Sequence, residues 1–250
     1  DVTDDESGVA HVEYVWSTST EEPTGSFTEI NNNGSVKSPD TTGNYYLHVR
    51  ARDNVGNMRK FTSKSFKVDV TAPTAPTISA ATGWQKEDVT VTLTDGEDSD
   101  SGVDYSEYSF DGINWEKYTT PLTISENGEI TVLARTIDNA GNMSAITSET
   151  IKIDKTLPKI TLTQNGGVWE KPHTTSVEVT DMYSGVAEIE YVWSTSEDFP
   201  TSGFTSYSNG VEISTPNESG IYYLHVRATD HAGNMNEFTS EGFKIGKIWM

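Results

Sequence analysis

Tyr14-Val15-Trp16-Ser17-Thr18-Ser19 returns unchanged as Tyr191-Val192-Trp193-Ser194-Thr195-Ser196, 177 positions further on. Working outward, Asp4 and Ser7-Gly8-Val9 return as Asp181 and Ser184-Gly185-Val186, and residues 45–51 return as 222–228, all at the same offset. Across residues 3–68, 36 of 66 positions are identical to their counterparts without a gap. A repeat of that length sets the organisation of the chain before any local reading begins. A more diverged copy lies between: Ser101-Gly102-Val103, Glu107-Tyr108 and Asp138-Asn139-Ala140-Gly141-Asn142-Met143. The joints repeat too, since Val68-Asp69-Val70-Thr71-Ala72-Pro73 matches Ile153-Asp154-Lys155-Thr156-Leu157-Pro158, 85 positions on. Three modules are expected, at 1–70, 71–155 and 156–250.

Inside each module the apolar period is two. Val12, Tyr14 and Trp16 alternate with polar or outward residues, as do Tyr45, Leu47, Val49 and Ala51, and as do Val89, Val91 and Leu93. Alternation of this kind marks a half-buried strand. Asn33-Gly34, Asn127-Gly128, Asn209-Gly210 and the Asp-x-x-Gly-Asn units supply residues that accept the positive φ of tight turns. No stretch carries a helical stripe. The fold class expected is all-β: tandem immunoglobulin-like antiparallel β-sandwiches. The first module begins at a position equivalent to the end of the second strand of the third, so it lacks strand A and most of strand B. Apolar surface and unpaired backbone are expected there. The opening at Asp1 rather than Met suits a piece of a longer chain that continues upstream.

The chain has 250 residues, no cysteine, and 38 acidic against 17 basic side chains, for a net charge of -21. Without cysteine there is no disulfide framework, thiol nucleophile or zinc–cysteine site. So negative a field repels phosphate, which argues against nucleic acid and anionic lipid as partners. No run approaches the length of apolar residues that crosses a bilayer as a helix, so no membrane insertion is expected.

Asp-x-x-Ser-Gly-Val, Tyr-x-Trp-Ser and Ala-x-Asp-x-x-Gly-Asn together resemble the bacterial immunoglobulin-like repeats of large cell-surface proteins, especially of Gram-positive bacteria. The late Asp-x-x-Gly-Asn turn is similar to that of hyalin-type repeats, and residues 108–115 resemble a segment of repeats appended to secreted carbohydrate-active enzymes. The resemblance implies a non-catalytic, extracellular stalk or spacer, cell-surface or secreted, whose partners are neighbouring modules of the same chain. It also leaves open an adhesin or carbohydrate-binding role toward host or cell-wall glycan or protein, or service as accessory repeats of a secreted enzyme.

Trp16, Trp193 and Phe110 fall on the inward parity of strand C and are expected in the cores. Trp84 and Trp169 stand in polar loops, and Trp115 follows a turn; each suits core capping or packing between modules, while Trp115 is the candidate for stacking on a sugar. Glu13, Glu107 and Glu190 face outward on strand C opposite Arg50, Arg135 and Arg227 on strand F, so three cross-strand ion pairs are expected, with Lys67, Lys152 and Lys244 extending the ladder. The five histidines are scattered, with His48 and His225 expected on the surface or a sheet face. No nucleophile elbow or phosphate loop appears, and no catalytic residue or bound organic cofactor is expected.

The remaining candidate is metal. At the first joint Asp69 of the linker, Asp95, Asp98 and Asp100 of a loop, and Asp138 of a turn converge in this topology; at the second, Asp154, Asp181 and Asp230 do. A hard cation such as Ca²⁺ takes six to eight oxygens of this kind. The competing reading is that the turn aspartates only accept N–H bonds from their own turns and the rest are solvated charge.

Overall fold

The computed structural model describes residues 2–246, which form strands and turns with no helix. The strands fall into three groups that pair only internally among the described residues. The first group is β1 (Val9–Ser17), β2 (Thr28–Glu29), β3 (Gly43–Asp53), β4 (Met58–Thr62) and β5 (Phe66–Val68). The second is β6 (Thr77–Ser79), β7 (Trp84–Gln85), β8 (Val89–Thr94), β9 (Val103–Ser109), β10 (Glu116–Lys117), β11 (Leu122–Ile124), β12 (Gly128–Asp138) and β13 (Thr147–Ile153). The third is β14 (Lys159–Leu162), β15 (Trp169–Glu170), β16 (Thr174–Thr180), β17 (Val186–Ser194), β18 (Thr205–Ser206), β19 (Glu212–Ser214), β20 (Gly220–Asp230), β21 (Met235–Thr239) and β22 (Phe243–Ile245).

The second and third groups each contain two sheets. In the third, β14-β16-β19 faces β15-β22-β20-β17-β18, with β21 also on β20; in the second, β11-β8-β6 faces β10-β9-β12-β13-β7. The alternation read from sequence is what the sheets bury. Val89, Val91 and Leu93 point inward while Thr90, Thr92 and Thr94 meet water. In the third group Val177, Leu224, Val226 and Ala228 are fully buried beside Phe243 and Ile245. Each such side chain contributes roughly 1.5 to 3 kcal/mol when a whole aliphatic or aromatic group leaves water.

The first group has one sheet, β2-β1-β3-β4 with β5 on β3. Val12 is its one buried apolar side chain among the described residues. Leu47, Val49 and Ala51 are half-buried, where their counterparts Leu224, Val226 and Ala228 are sealed. Phe66 is 46% exposed against 1% for its counterpart Phe243.

Cross-strand register places Glu13 opposite Arg50, Glu107 opposite Arg135 and Glu190 opposite Arg227. The last two pairs close at 2.6 Å through the arginine Nε. Arg50 lies 3.6 Å from Glu13 and turns its Nε to Glu22. The expected lysine extension does not form: Lys152 bonds Glu129 across β12–β13 and Lys244 donates to the Gly167 carbonyl, because their strand meets F at its other end.

Three further expectations are corrected. Trp16 and Trp193 pack edge-on against Phe66 and Phe243, at 5.1 and 5.0 Å between centroids, but Phe110 is 51% exposed. Strand β9 stops at Ser109, whose hydroxyl accepts from the Asp111 and Gly112 N–H groups, so the chain turns before Phe110 can point inward. Trp84 and Trp169 are not in loops; each opens a two-residue strand that pairs parallel with the last strand of its sheet. His48 and His225 are buried at 1% and 0% exposure. The loop after strand C folds over them, with His225 Nε2 bonded to the Ser196 carbonyl and Nδ1 to Thr239.

Carboxylate clusters at the candidate joint sites

Three local structures bring the aspartates together. Asp98 and Asp181 each begin an Asp-x-x-Ser-Gly turn and accept its N–H groups: Asp98 Oδ1 takes those of Asp100, Ser101 and Gly102, and Asp181 Oδ1 takes those of Tyr183 and Gly185. Asp138 and Asp230 close the Asp-x-x-Gly-Asn hairpins, accepting N–H from residues two and four ahead. Asp69 and Asp154 lie just past β5 and β13 and reach forward into the next turn. Oδ2 of Asp69 accepts from the Ser101 N–H at 3.0 Å, and Oδ2 of Asp154 accepts from the Ser184 N–H at 3.0 Å and the Ser184 hydroxyl at 2.6 Å.

Carboxylate oxygens of Asp69, Asp98 and Asp138 lie within 4.8 Å of one another, and so do those of Asp154, Asp181 and Asp230. Asp95 and Asp100 do not join: both side chains are exposed, since Asp95 leaves the solvent face at the end of β8 and Asp100 lends only its N–H to Asp98. The turn-capping reading and the convergence reading therefore describe the same carboxylates. The first strand group carries two of the three, Asp4 and Asp53, in the same turns.

The second cluster is the drier. Asp154 is 0% exposed and Asp230 2%. Burial alone would raise the Asp154 carboxyl, but donors from Ser184 and Thr156 outweigh it and hold the pKa at about 2. Asp69 is likewise held below the usual carboxylate range, first by Ser101 and then by the Thr71 N–H. Asp181 Oδ2 is buried without a hydrogen-bond partner. Two charges 4.8 Å apart repel by about 3.5 kcal/mol at an effective dielectric near 20. Hydrogen bonds to the oxygens offset part of this; a cation between them would offset more.

Sequence reasoning missed the residue that ties each joint. Asn142 donates its amide to Asp138 Oδ2 at 2.8 Å and to the Asp69 carbonyl at 3.2 Å. Asn234 does the same for Asp230 Oδ2 at 2.7 Å and the Asp154 carbonyl at 2.8 Å. The signal was present in the last residue of Asp-x-x-Gly-Asn, read only as turn chemistry.

Trp115 has one face under the Arg135 guanidinium, 4.1 Å from the ring centroid. Phe27 and Phe204 hold Arg50 and Arg227 in the same way, at 3.7 and 4.3 Å. Trp115 is thus this group's version of an aromatic that seats the strand-F arginine.

The bacterial Ig-like domain family matches residues 76–155 and 181–247. This chain belongs to that family. Among curated proteins no match is found. Solved structures that resemble this bacterial Ig-like chain include fibronectin(III)-like modules of Clostridium thermocellum CbhA, 14% identical over 68% of this chain and 94% of that one, with a TM-score of 0.32. The D00-D0 domain of intimin is 9% identical over 69% and 100%, with a TM-score of 0.36. The FN1-FN3 domains of chicken CNTN1 are 13% identical over 96% and 91%, with a TM-score of 0.26.

Proposed function

We propose that this chain is a stalk segment of an extracellular bacterial protein, in which three tandem modules, 1–70, 71–155 and 156–250, are locked end to end through their linker aspartates. Its partners are its own neighbouring modules, and Ca²⁺ completes the two joints. The observation that carries this reading is the seating of Asp154: its side chain bonds Ser184 and its carbonyl takes the Asn234 amide. Asp69 repeats both contacts at the other joint. A spacer needs such joints because its use is to hold direction over distance.

Adhesion through Trp115 is the weaker reading, since Arg135 already occupies one face of that indole. The test is thermal unfolding and solution scattering in EDTA and in millimolar Ca²⁺. A higher melting temperature and a longer, stiffer particle in Ca²⁺ are expected. An unchanged melting temperature removes the metal from the proposal, and a particle that bends freely in both conditions removes the locked joint.

A further inference from the structure

In the second and third groups the strands by which the chain enters and leaves lie side by side. The chain enters the second group in β6, antiparallel to β8, crosses to the other sheet, and there lays β7 parallel to β13, the strand by which it leaves. The third group repeats this with β14, β15 and β22. Entry and exit of the second group are at opposite poles. Asp69 is seated on the turns of Ser101 and Asn142 at one, whereas Lys155 bonds Asp88, Ser125 and Asn127 at the other, where β8 and β12 begin.

A pull along the chain therefore drives β7 and β13 past each other. Paired strands bond sideways to their own direction, so this pull loads all the bonds of the patch together, whereas a pull at one pole opens them in turn. The Asp154 N–H bonds the Gln85 carbonyl at 2.9 Å, and the register sets the Gln85 N–H on the Lys152 carbonyl. In the third group the Gly246 N–H bonds the Glu170 carbonyl at 2.9 Å, the Gly167 N–H bonds the Gly242 carbonyl at 3.0 Å, and Lys244 Nζ donates to the Gly167 carbonyl at 3.1 Å. The crossing is shaped for this approach: a Cβ on Gly166 would stand 2.7 Å from the Glu241 carbonyl oxygen. The patches lie outside the cores, with Trp169 64% exposed.

We propose that β7–β13 and β15–β22 are shear clamps, which give the second and third groups a mechanical function: to stay folded under tension applied through the chain. The use of such clamps rests on the stalk reading, since a stalk transmits load between its two ends. Forced unfolding follows the barrier to unfolding rather than the equilibrium stability. The bonds that must break before the core opens set that barrier, while core contacts still intact at the barrier do not change the rate.

The test stretches the full chain in EDTA with a single-molecule force instrument, held first by its two ends and then through Glu87→Cys and Leu157→Cys. Both positions are exposed at the exit pole, and the chain has no cysteine of its own. Held by its ends, the second group is expected to open, releasing about 300 Å of chain, at a higher force than when peeled from one pole. Gln85→Pro removes a clamp donor and is expected to speed end-to-end opening of the second group about tenfold or more, with the third group unchanged. Val132→Ala hollows the fully buried core and is expected to change that rate by less than about twofold. Equal forces in the two geometries, an unaltered rate with Gln85→Pro, or as large an acceleration with Val132→Ala overturns the proposal. If Gln85→Pro prevents the second group from folding, the comparison of the two geometries decides. Joints that bend freely in scattering remove the locked stalk and leave the clamps to be judged by force alone.

Discussion

Asp154→Asn in EDTA isolates what the buried linker carboxylate contributes. The wild-type group titrates at about 2 against an ordinary value of 3.8. That difference corresponds to about 2 kcal/mol of stability carried by the charged form. The sign follows from the depressed value. The contribution is fully present above the unfolded pKa near 4 and is lost as pH falls toward 2. At pH 3 it is reduced to about half. Asparagine keeps the shape but offers one acceptor oxygen and an NH₂ that meets donors from Ser184 or Thr156. The third module is therefore expected to lose about 2 kcal/mol at pH 7 and about half that at pH 3. For a unit of this size the neutral-pH loss lowers the melting temperature by about 10 °C. Repulsion from Asp181 and Asp230 works against the charged form, so the wild-type advantage is expected to grow when Ca²⁺ is added. Urea unfolding followed by Trp193 fluorescence at the two pH values measures it. A difference that is absent at pH 7, or that is the same at pH 7 and pH 3, refutes the reasoning.

Leu224→Ala removes a fully buried side chain and is expected to cost about 3 kcal/mol, whereas the identical change at half-exposed Leu47 is expected to cost about 1 kcal/mol; equal losses in urea unfolding would mean the first sheet is covered. A double-mutant cycle on Glu107→Ala and Arg135→Ala is expected to give a coupling of about 1 kcal/mol, and no measurable coupling would show that the ladder sets register only. Gly96→Ala is expected to destabilise the second module by about 2 kcal/mol or more, because a Cβ there would stand 1.8 Å from the Thr74 carbonyl oxygen; a neutral result by calorimetry would mean the linker at Thr74 moves aside freely.

The sheets were legible because their signal is parity. A residue that alternates along a strand needs no partner to declare its face, and with strands C and F neighbours in an immunoglobulin-like sandwich the recurrent Glu and Arg could be placed opposite each other, as Glu107 and Arg135 are. The convergence of Asp154, Asp181 and Asp230 was legible at the level of topology, since loops at one end of a sandwich must meet the preceding linker. Which loop aspartate arrives was not. Asp98 reaches the cluster and Asp95 and Asp100 do not because the Ser101-Gly102 N–H groups select the residue three positions before the serine. Phe110 was misplaced for the same reason. Parity carries on along a sequence after the strand has ended, and the hydroxyl of Ser109 that ends it is a local hydrogen bond with no periodic trace. His48 and His225 were hidden because a loop, not a strand, covers them.

The double duty of Asn234, bonded at once to its own turn and to the linker carbonyl before it, makes each boundary the common property of two neighbours. Loss of structure in one unit removes the donors that its predecessor's last residues rely on. An array built this way behaves as a row of coupled elements whose interface energies add to those of the elements themselves. Melting then starts at the ends and travels inward, and a long array resists where an isolated unit frays.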